Sequence, residues 1–234
     1  MTMQPLYETA ATDRVADALR AMPSVGGVAM LTAPAGTGVK GALRLAAANM
    51  PHVRLINVTP PSSSPTPRAF FREVAVGLGL TVDNHLSAQE IAFALRDHIK
   101  TTHELVVLHG AHRLRGAQLP FVSYLAEELG ALVLAGGDTL RMRVTADAEL
   151  TSLTRLPVEV PRLTLMELQR ALGEEFSVEW LETTHGLTGG NWSAIWTMVW
   201  GERTRAKING RVTKDAGAKD AQVLGSRFLL KVAA

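Results

Sequence analysis

The sequence predicts an α/β fold: a parallel β-sheet flanked by helices, followed by a small C-terminal helical lid. Three observations predict it. Five short apolar runs recur along residues 1–160, helical patterns separate them, and after Pro161 the pattern turns wholly helical. Strands that alternate with helices imply parallel pairing with helical crossovers. A chain of 234 residues, 47% of them apolar, has room for one large domain or a core with a lid. The predicted organisation is an α/β core over 1–160, a helical lid over 161–210 and a basic tail over 211–234.

The apolar runs are 28–32, 53–58, 105–108, 131–135 and 158–160. The first four lack strict alternation, which suits strands buried on both faces. A helix over 38–49 carries Leu43, Ala46 and Ala47, and one over 68–78 carries Phe70, Phe71, Val74 and Leu78. A third, over 88–99, places Ile91, Ala92, Leu95 and Ile99 on one side, with Ser87 and Glu90 spaced as a capping box. A fourth, over 118–129, carries Phe121, Val122, Leu125 and Leu129. The proline-rich stretch 59–67 reads as an exposed loop, since its prolines lack donors and restrict the residues before them. After the second strand of an open parallel sheet, such a loop lies near the ligand crevice.

In the lid, Thr164 caps a helix running to Leu172, with Glu167 at the matching capping position. A second helix covers 178–184, Gly189-Gly190-Asn191 punctuates, and a third covers 192–205. Trp192, Trp196 and Trp200 recur there at helical spacing and are read as lid core.

Bulk properties exclude several classes. There is no cysteine, so disulfides and thiolate metal sites are ruled out. No basic stretch leads into an N-terminal apolar run, and no run approaches the ~20 apolar residues that span a bilayer. The expectation is a cytoplasmic protein without a membrane partner. The net charge of +2 is uneven: residues 201–234 hold eight basic and three acidic side chains, +5, which leaves −3 on the rest. A basic segment on a near-neutral body suggests a polyanion, with Arg203, Arg205, Lys207 and Arg211 as the contact residues. A solvated terminus is the equally weighted alternative.

The segment Val28-Ala29-Met30-Leu31-Thr32-Ala33-Pro34-Ala35-Gly36-Thr37-Gly38-Val39-Lys40-Gly41 runs from a strand through a Gly-rich turn into a helix, the setting of a phosphate-binding loop. Against the pattern G-x-x-x-x-G-K-[ST], Ala33 replaces the first glycine, Val39 the lysine and Lys40 the hydroxyl residue. Backbone N–H groups of such a turn hold phosphate whatever the side chains are. Gly36, Thr37, Gly38 and Lys40 are therefore the candidate nucleotide-binding residues, with Lys40 acting only if the loop slips by one residue.

A second segment reads Glu104-Leu105-Val106-Val107-Leu108-His109-Gly110-Ala111-His112-Arg113-Leu114. A nucleotide hydrolase of this type needs Asp then Glu after four apolar residues, one for the metal shell and one to activate water. His109 and Gly110 occupy those slots, so no catalytic residue is assigned and magnesium is not expected. His109 and His112 lack a recognisable third ligand, so no metal site is assigned. A third segment, Leu132–Asp138, ends in a carboxylate unsuited to a phosphate, and Asp138 is read as a turn or helix cap. Arg141, Arg143 and Arg155 are surface arginines by default, and Arg155 is the candidate arginine finger toward a neighbouring subunit.

In series these segments resemble an AAA+ ATPase, a P-loop NTPase-like fold. More narrowly they resemble the MuB/TniB/TnsC-like transposition ATPases and their ExeA-like relatives. The resemblance rests on Ala33-Pro34-Ala35-Gly36-Thr37-Gly38, where the family has GPAGTGKT, and on Ala111-His112-Arg113-Leu114, where it has DEAHRL. It rests also on Leu134-Ala135-Gly136-Gly137 and on Leu187-Thr188-Gly189-Gly190-Asn191, where the family has TGGNPRAL. It covers residues 15–205. It implies ATP or ADP as ligand, double-stranded DNA as partner, a transposase or an active AAA+ paralogue as a protein partner, and a homo- or hetero-oligomer. Trp192-Ser193 replaces the family's sensor Pro-Arg. The N-terminal DNA-binding domain of some members is not expected, since the core begins within the first thirty residues.

Three functions follow. The favoured one is a hydrolysis-deficient, DNA-associated adaptor in transposition or a related mobile-element process. The alternatives are an active ATP-dependent DNA-binding ATPase that uses Lys40 in a shifted loop, and a nucleotide-independent protein–protein scaffold.

Overall fold

The computed structural model describes residues 7–58 and 66–228. They divide into two compact units: Thr12–Ala33 with Val39–Val160, and residues 7–11 with Pro34–Gly38 and 161–228.

The first unit is built on five parallel strands, β1 (Gly27–Thr32), β2 (Val53–Asn57), β3 (Leu105–His109), β4 (Ala131–Gly136) and β5 (Thr154–Glu159). They lie in the order β2-β3-β4-β1-β5. The register sets Val28 beside Leu132 and Val106 beside Leu132, so β4 is held on both sides. Alternate residues Val28, Met30, Val106, Leu108, Leu132 and Leu134 join one core cluster with Phe70, Val74, Ile91 and Val122. The intervening Ala29, Leu31, Val107 and Val133 are also fully buried. Both sheet faces are therefore covered, the arrangement expected from apolar runs without alternation.

The crossovers are α2 (Val39–Asn49), α3 (Pro67–Gly77), α4 (Ala88–Thr102), α5 (Leu119–Leu129), α6 (Thr139–Thr145) and α7 (Ala148–Leu153). In α4, Ser87 accepts from the Glu90 N–H while Glu90 accepts from the Ser87 N–H, so the capping box is made. The expected proline-rich loop falls at 59–65 outside the described residues, but its last two residues are the cap and the first residue of α3. Thr66 caps that helix and Pro67 opens it, where a missing N–H costs nothing.

Four elements of this unit differ from the sequence reading. An unpredicted helix, α1 (Ala10–Val25), precedes β1 and buries Val15, Ala18, Leu19 and Met22. The helices α6 and α7 were not predicted either. Strand β5 starts four residues before the expected 158–160, and its alternating exposure marks a sheet edge. Pro157 is tolerated there because an edge strand leaves one side of its backbone unpaired.

The second unit packs α8 (Leu165–Leu172), α9 (Val178–Thr188), α10 (Trp192–Asn209) and α11 (Ala218–Phe228) around Leu168, Leu172, Phe176, Trp180, Ile195, Val199 and Leu224. Phe176 and Trp180 stack with centroids 4.3 Å apart. Thr164 and Glu167 form the predicted capping box of α8. The expectation of a separate basic tail from residue 211 is corrected: α11 lies in this cluster and buries Ala221 and Leu224. Trp192 and Trp196 are half-buried against the cluster, but Trp200 is 56% exposed, so it is not lid core.

Candidate functional site

The Gly-rich turn belongs to the helical unit. Gly36 and Gly38 have φ of +79° and +92°, a left-handed backbone that side chains resist. Both the N–H and the hydroxyl of Thr37 donate to the Pro34 carbonyl, which closes the turn and buries Thr37. The segment opening α10 grips the turn from the other side. Asn191 Nδ2 donates to the Ala35 carbonyl at 3.0 Å, and the Ser193 N–H donates to the Gly36 carbonyl at 3.1 Å. Asn191 Oδ1 meanwhile accepts from the Ala194 N–H and so caps α10. A Cβ on Gly36 would fall 2.1 Å from Asn191 Oδ1, and one on Gly38 3.2 Å from the Trp192 ring. Trp192 in turn meets Tyr7 edge-on, with centroids 5.6 Å apart. The grip uses turn carbonyls and not the N–H groups that would face an anion.

In the sheet unit, α2 starts at Val39, which places Lys40 in its first turn, exposed, with Arg44 one turn further along. His109 closes β3, half-buried, with Nδ1 3.2 Å from Asn57 Oδ1 at the end of β2. Burial is the first cause that holds its imidazole down at about 4 from 6.5, and the positive charges of Lys40, Arg113, His112 and Arg44 add to it. His109 is therefore neutral at pH 7 and sits among cations. His112 is lowered as well, by burial and then by Arg113 and Arg143. Among the described residues, Lys40, Arg44 and Arg113 have no acidic partner.

Gly110 holds a backbone that resists any side chain. Its φ is +83°, its N–H donates to the Ala135 carbonyl, and a Cβ there would lie 3.4 Å from the Val58 carbonyl oxygen. The chain turns at Gly110 into a short 3₁₀ turn, Ala111–Arg113. That turn brings His112 against Gly136, where a Cβ would meet its backbone nitrogen at 2.8 Å. Asp138 occupies the position before α6, but its side chain makes no capping bond, so the expected cap is not formed.

These residues do not fit a magnesium ion. A hard dication takes oxygen ligands, usually carboxylates, and the end of β3 offers an imidazole ringed by positive charge. Among the described residues there is no group of three or more His, Asp or Glu placed to hold a metal.

The four candidate polyanion contacts lie on α10 and just beyond it, and three are engaged with acids. Arg203 pairs with Glu175 through two hydrogen bonds and stacks over Trp196 at 5.1 Å. Arg205 pairs with Asp220 at 2.8 Å. Arg211 pairs with Asp220 and with Glu202, which is fully buried. Lys207 is exposed and has no acidic partner among the described residues. Arg155 is exposed on β5, while Arg143 donates to the Leu114 carbonyl. No described helix is long and apolar enough to cross a membrane.

Sequence reading singled out the loop after β1 and the end of β3. It missed Arg44, whose spacing of four from Lys40 on one helix was the available signal. It also missed the grip of Asn191 on the turn, for which a motif far along the chain gave no sign.

A five-stranded parallel sheet of this order, with a Gly-rich turn following β1 in the chain and a helical unit later in it, defines a P-loop NTPase-like protein of AAA+ type. Residues 22–144, more than half of the chain, match the AAA domain family, and the chain belongs to it. No curated protein matches the chain. Among solved structures it is similar to the ORC2 protein of Aeropyrum pernix in its ADPNP–ADP complexes, with TM-score 0.67 and 16% identity over 91% of this chain and 66% of that one. It is also similar to the ORC1 protein of Aeropyrum pernix in complex with DNA, with TM-score 0.62 and 18% identity over 95% and 66%. Domain III of the replication initiation protein DnaA of Thermotoga maritima gives TM-score 0.60 and 13% identity over 96% and 99%. At such identities the likeness shows the fold. The chain spans 66% of each Aeropyrum chain, just under two thirds.

Proposed function

We propose that this chain is a hydrolysis-deficient AAA+ module that acts as a DNA-associated adaptor in transposition or a related mobile-element process. One observation carries the first half: the end of β3 presents His109 and a left-handed Gly110 where hydrolysis needs a metal-binding and a water-activating carboxylate. Gly110 has no base to offer, and its backbone disfavours any side chain that would. A nucleotide here serves as a bound ligand, held by the Gly36–Lys40 segment, and not as a fuel.

The DNA half is supported by the basic excess of residues 201–234 and by fold likeness to a protein solved in complex with DNA. Transposition is supported by the motif series, which also suggests a transposase or an active paralogue as partner. The deciding experiment measures duplex DNA binding across a salt series, with ATP turnover followed in parallel. The expected outcome is log K falling by ~0.9 per phosphate contacted, and no turnover with or without DNA. A flat salt response, or absence of binding at micromolar protein, overturns the DNA role and favours a scaffold. Turnover abolished by Lys40→Ala overturns the loss of hydrolysis.

A further inference from the structure

The segment between β3 and α5 gathers positive charge that no acid offsets. Leu114 has φ −56° and ψ 136°, and Arg115 has φ −85° and ψ 157°, so the chain is extended there. Leu114 is fully buried in the core. In an extended chain its two neighbours face the other way, and Arg113 and Arg115 are both exposed. A third guanidinium meets the backbone between them: Arg143, on α6, donates to the Leu114 carbonyl. The turn that leads into this segment is pressed on the end of β4, where a Cβ on Gly136 would meet the His112 nitrogen at 2.8 Å. None of the three arginines joins an ion pair among the described residues. The Leu114 carbonyl orients Arg143 without neutralising it. Asp138, which precedes α6, is exposed and pairs with none of them.

Like charges held together repel, and an anion relieves them. A guanidinium stays charged at every physiological pH, and its fork of donors matches the oxygens of a phosphate. The sheet unit offers no ring for a base to stack on. Among its described residues, Phe70, Phe71, Phe121 and Tyr124 pack on one another, and Phe93 lies under Arg96. Single strands are held by base stacking as well as by charge. The patch therefore suits a duplex, whose bases are already stacked and whose phosphates face outward. We infer that Arg113, Arg115 and Arg143 form a contact for the phosphate backbone of duplex DNA, indifferent to base sequence. This rests on the DNA role proposed above and places the contact in the sheet unit, away from the paired arginines of α10.

The test titrates the full chain with two duplexes of unlike sequence and with one single strand, each over a salt series. The two duplexes should bind alike, and each phosphate contact adds ~0.9 to the fall of log K with log salt. Arg113→Gln and Arg115→Gln, both at exposed positions, should each lower that slope by about 0.9 and weaken binding severalfold, with the thermal midpoint preserved. Arg113→Lys keeps the charge and should keep the slope. Arg143→Gln should lower the slope and the thermal midpoint together, since it also loses the bond to Leu114, so the two exposed variants decide. Duplex binding whose slope neither of them changes overturns the inference and leaves the DNA role standing. A slope lowered by Lys207→Gln alone does the same and puts the contact on α10. Affinities of the two duplexes that differ by about tenfold or more overturn a phosphate-only contact, and a single strand bound more tightly than either overturns the choice of a duplex. Loss of ATP binding in the exposed variants with the DNA slope unchanged assigns the arginines to a nucleotide instead. Absence of all duplex binding overturns the DNA role itself, and this contact with it.

Discussion

Two basic regions of this protein look alike in sequence and differ in what their charges do. On α10 and α11, arginines lie beside acids: Arg203 with Glu175, Arg205 with Asp220, and Arg211 with Glu202 and Asp220. At the end of β3 and along α2, Lys40, Arg44 and Arg113 have no acid among the described residues, and their charge adds to the burial that keeps His109 a neutral imidazole. Charge counted along the chain puts the excess at residues 201–234 and leaves the remainder at −3. Charge considered in space separates the two by residue: Arg203, Arg205 and Arg211 are paired with acids, while Lys207, like Lys40, Arg44 and Arg113, has none among the described residues. A paired arginine holds helices together, and an unpaired cation is available to a ligand. The arginines of the region with the larger formal charge are thus its structural members.

The strongest way to break this contrast is Arg211→Ala. It leaves Glu202, at 0% exposure, without its cationic partner. An uncompensated buried carboxylate costs about 3 kcal/mol or more, so chemical denaturation should register a loss of that order. Replacing both Arg211 and Glu202 by leucine should recover most of it, because a buried pair exchanged for apolar packing is often neutral. If Arg211→Ala instead left stability intact and removed DNA binding, Arg211 would be a ligand contact and the contrast would fail.

Gly110→Glu probes the other region. It restores a carboxylate in name only, since an L-residue at φ +83° costs about 1–2 kcal/mol. The expected outcome is a lowered unfolding midpoint and no ATP turnover. Turnover gained without loss of stability would mean that the backbone, and not only the side chain, had kept the geometry for hydrolysis.

That variant also marks where the sequence stopped being readable. That a glycine stands at 110 was plain from residue order, but its left-handed backbone was not. The strands β1, β3 and β4 were legible because burial on both faces forces uninterrupted apolar runs, and the helix α4 because Ser87 and Glu90 cap it within four residues. The helix α1 was equally legible, with Val15, Ala18, Leu19 and Met22 at helical spacing, yet the charged residues between them and Pro23 obscured it. The helix α11 buries only small or isolated apolar side chains, Ala221 and Leu224, so its basic residues dominated the reading. The ion pairs of α10 join residues far apart in the chain, and no local pattern announces them.

Asn191→Ala tests the longest of these connections, a bond to Ala35 across 156 residues. One amide caps α10 and grips the Gly-rich turn at once. Loss of the cap alone costs about 1 kcal/mol, and amide exchange at the turn should quicken along with it. Asn191→Asp keeps the capping oxygen and loses the donor to Ala35. It should therefore hold most of the stability while still loosening the turn. If both variants exchanged like the wild type, the grip would be incidental to the turn.

A pH slope is the remaining effect, and its sign separates a neutral His109 from a charged one. In the unfolded chain this imidazole takes its proton near 6.5, and in the folded protein only near 4. Between those values the unfolded state binds more protons, so stability is full above 6.5 and declines as the pH falls toward 4. His112, lowered by burial and by Arg113 and Arg143, adds in the same direction. Thermal midpoints of the wild type should fall over that window more steeply than those of His109→Gln. A slope indifferent to the substitution would place the ring in water and away from those cations, and the contrast between the two basic regions would lose its focus.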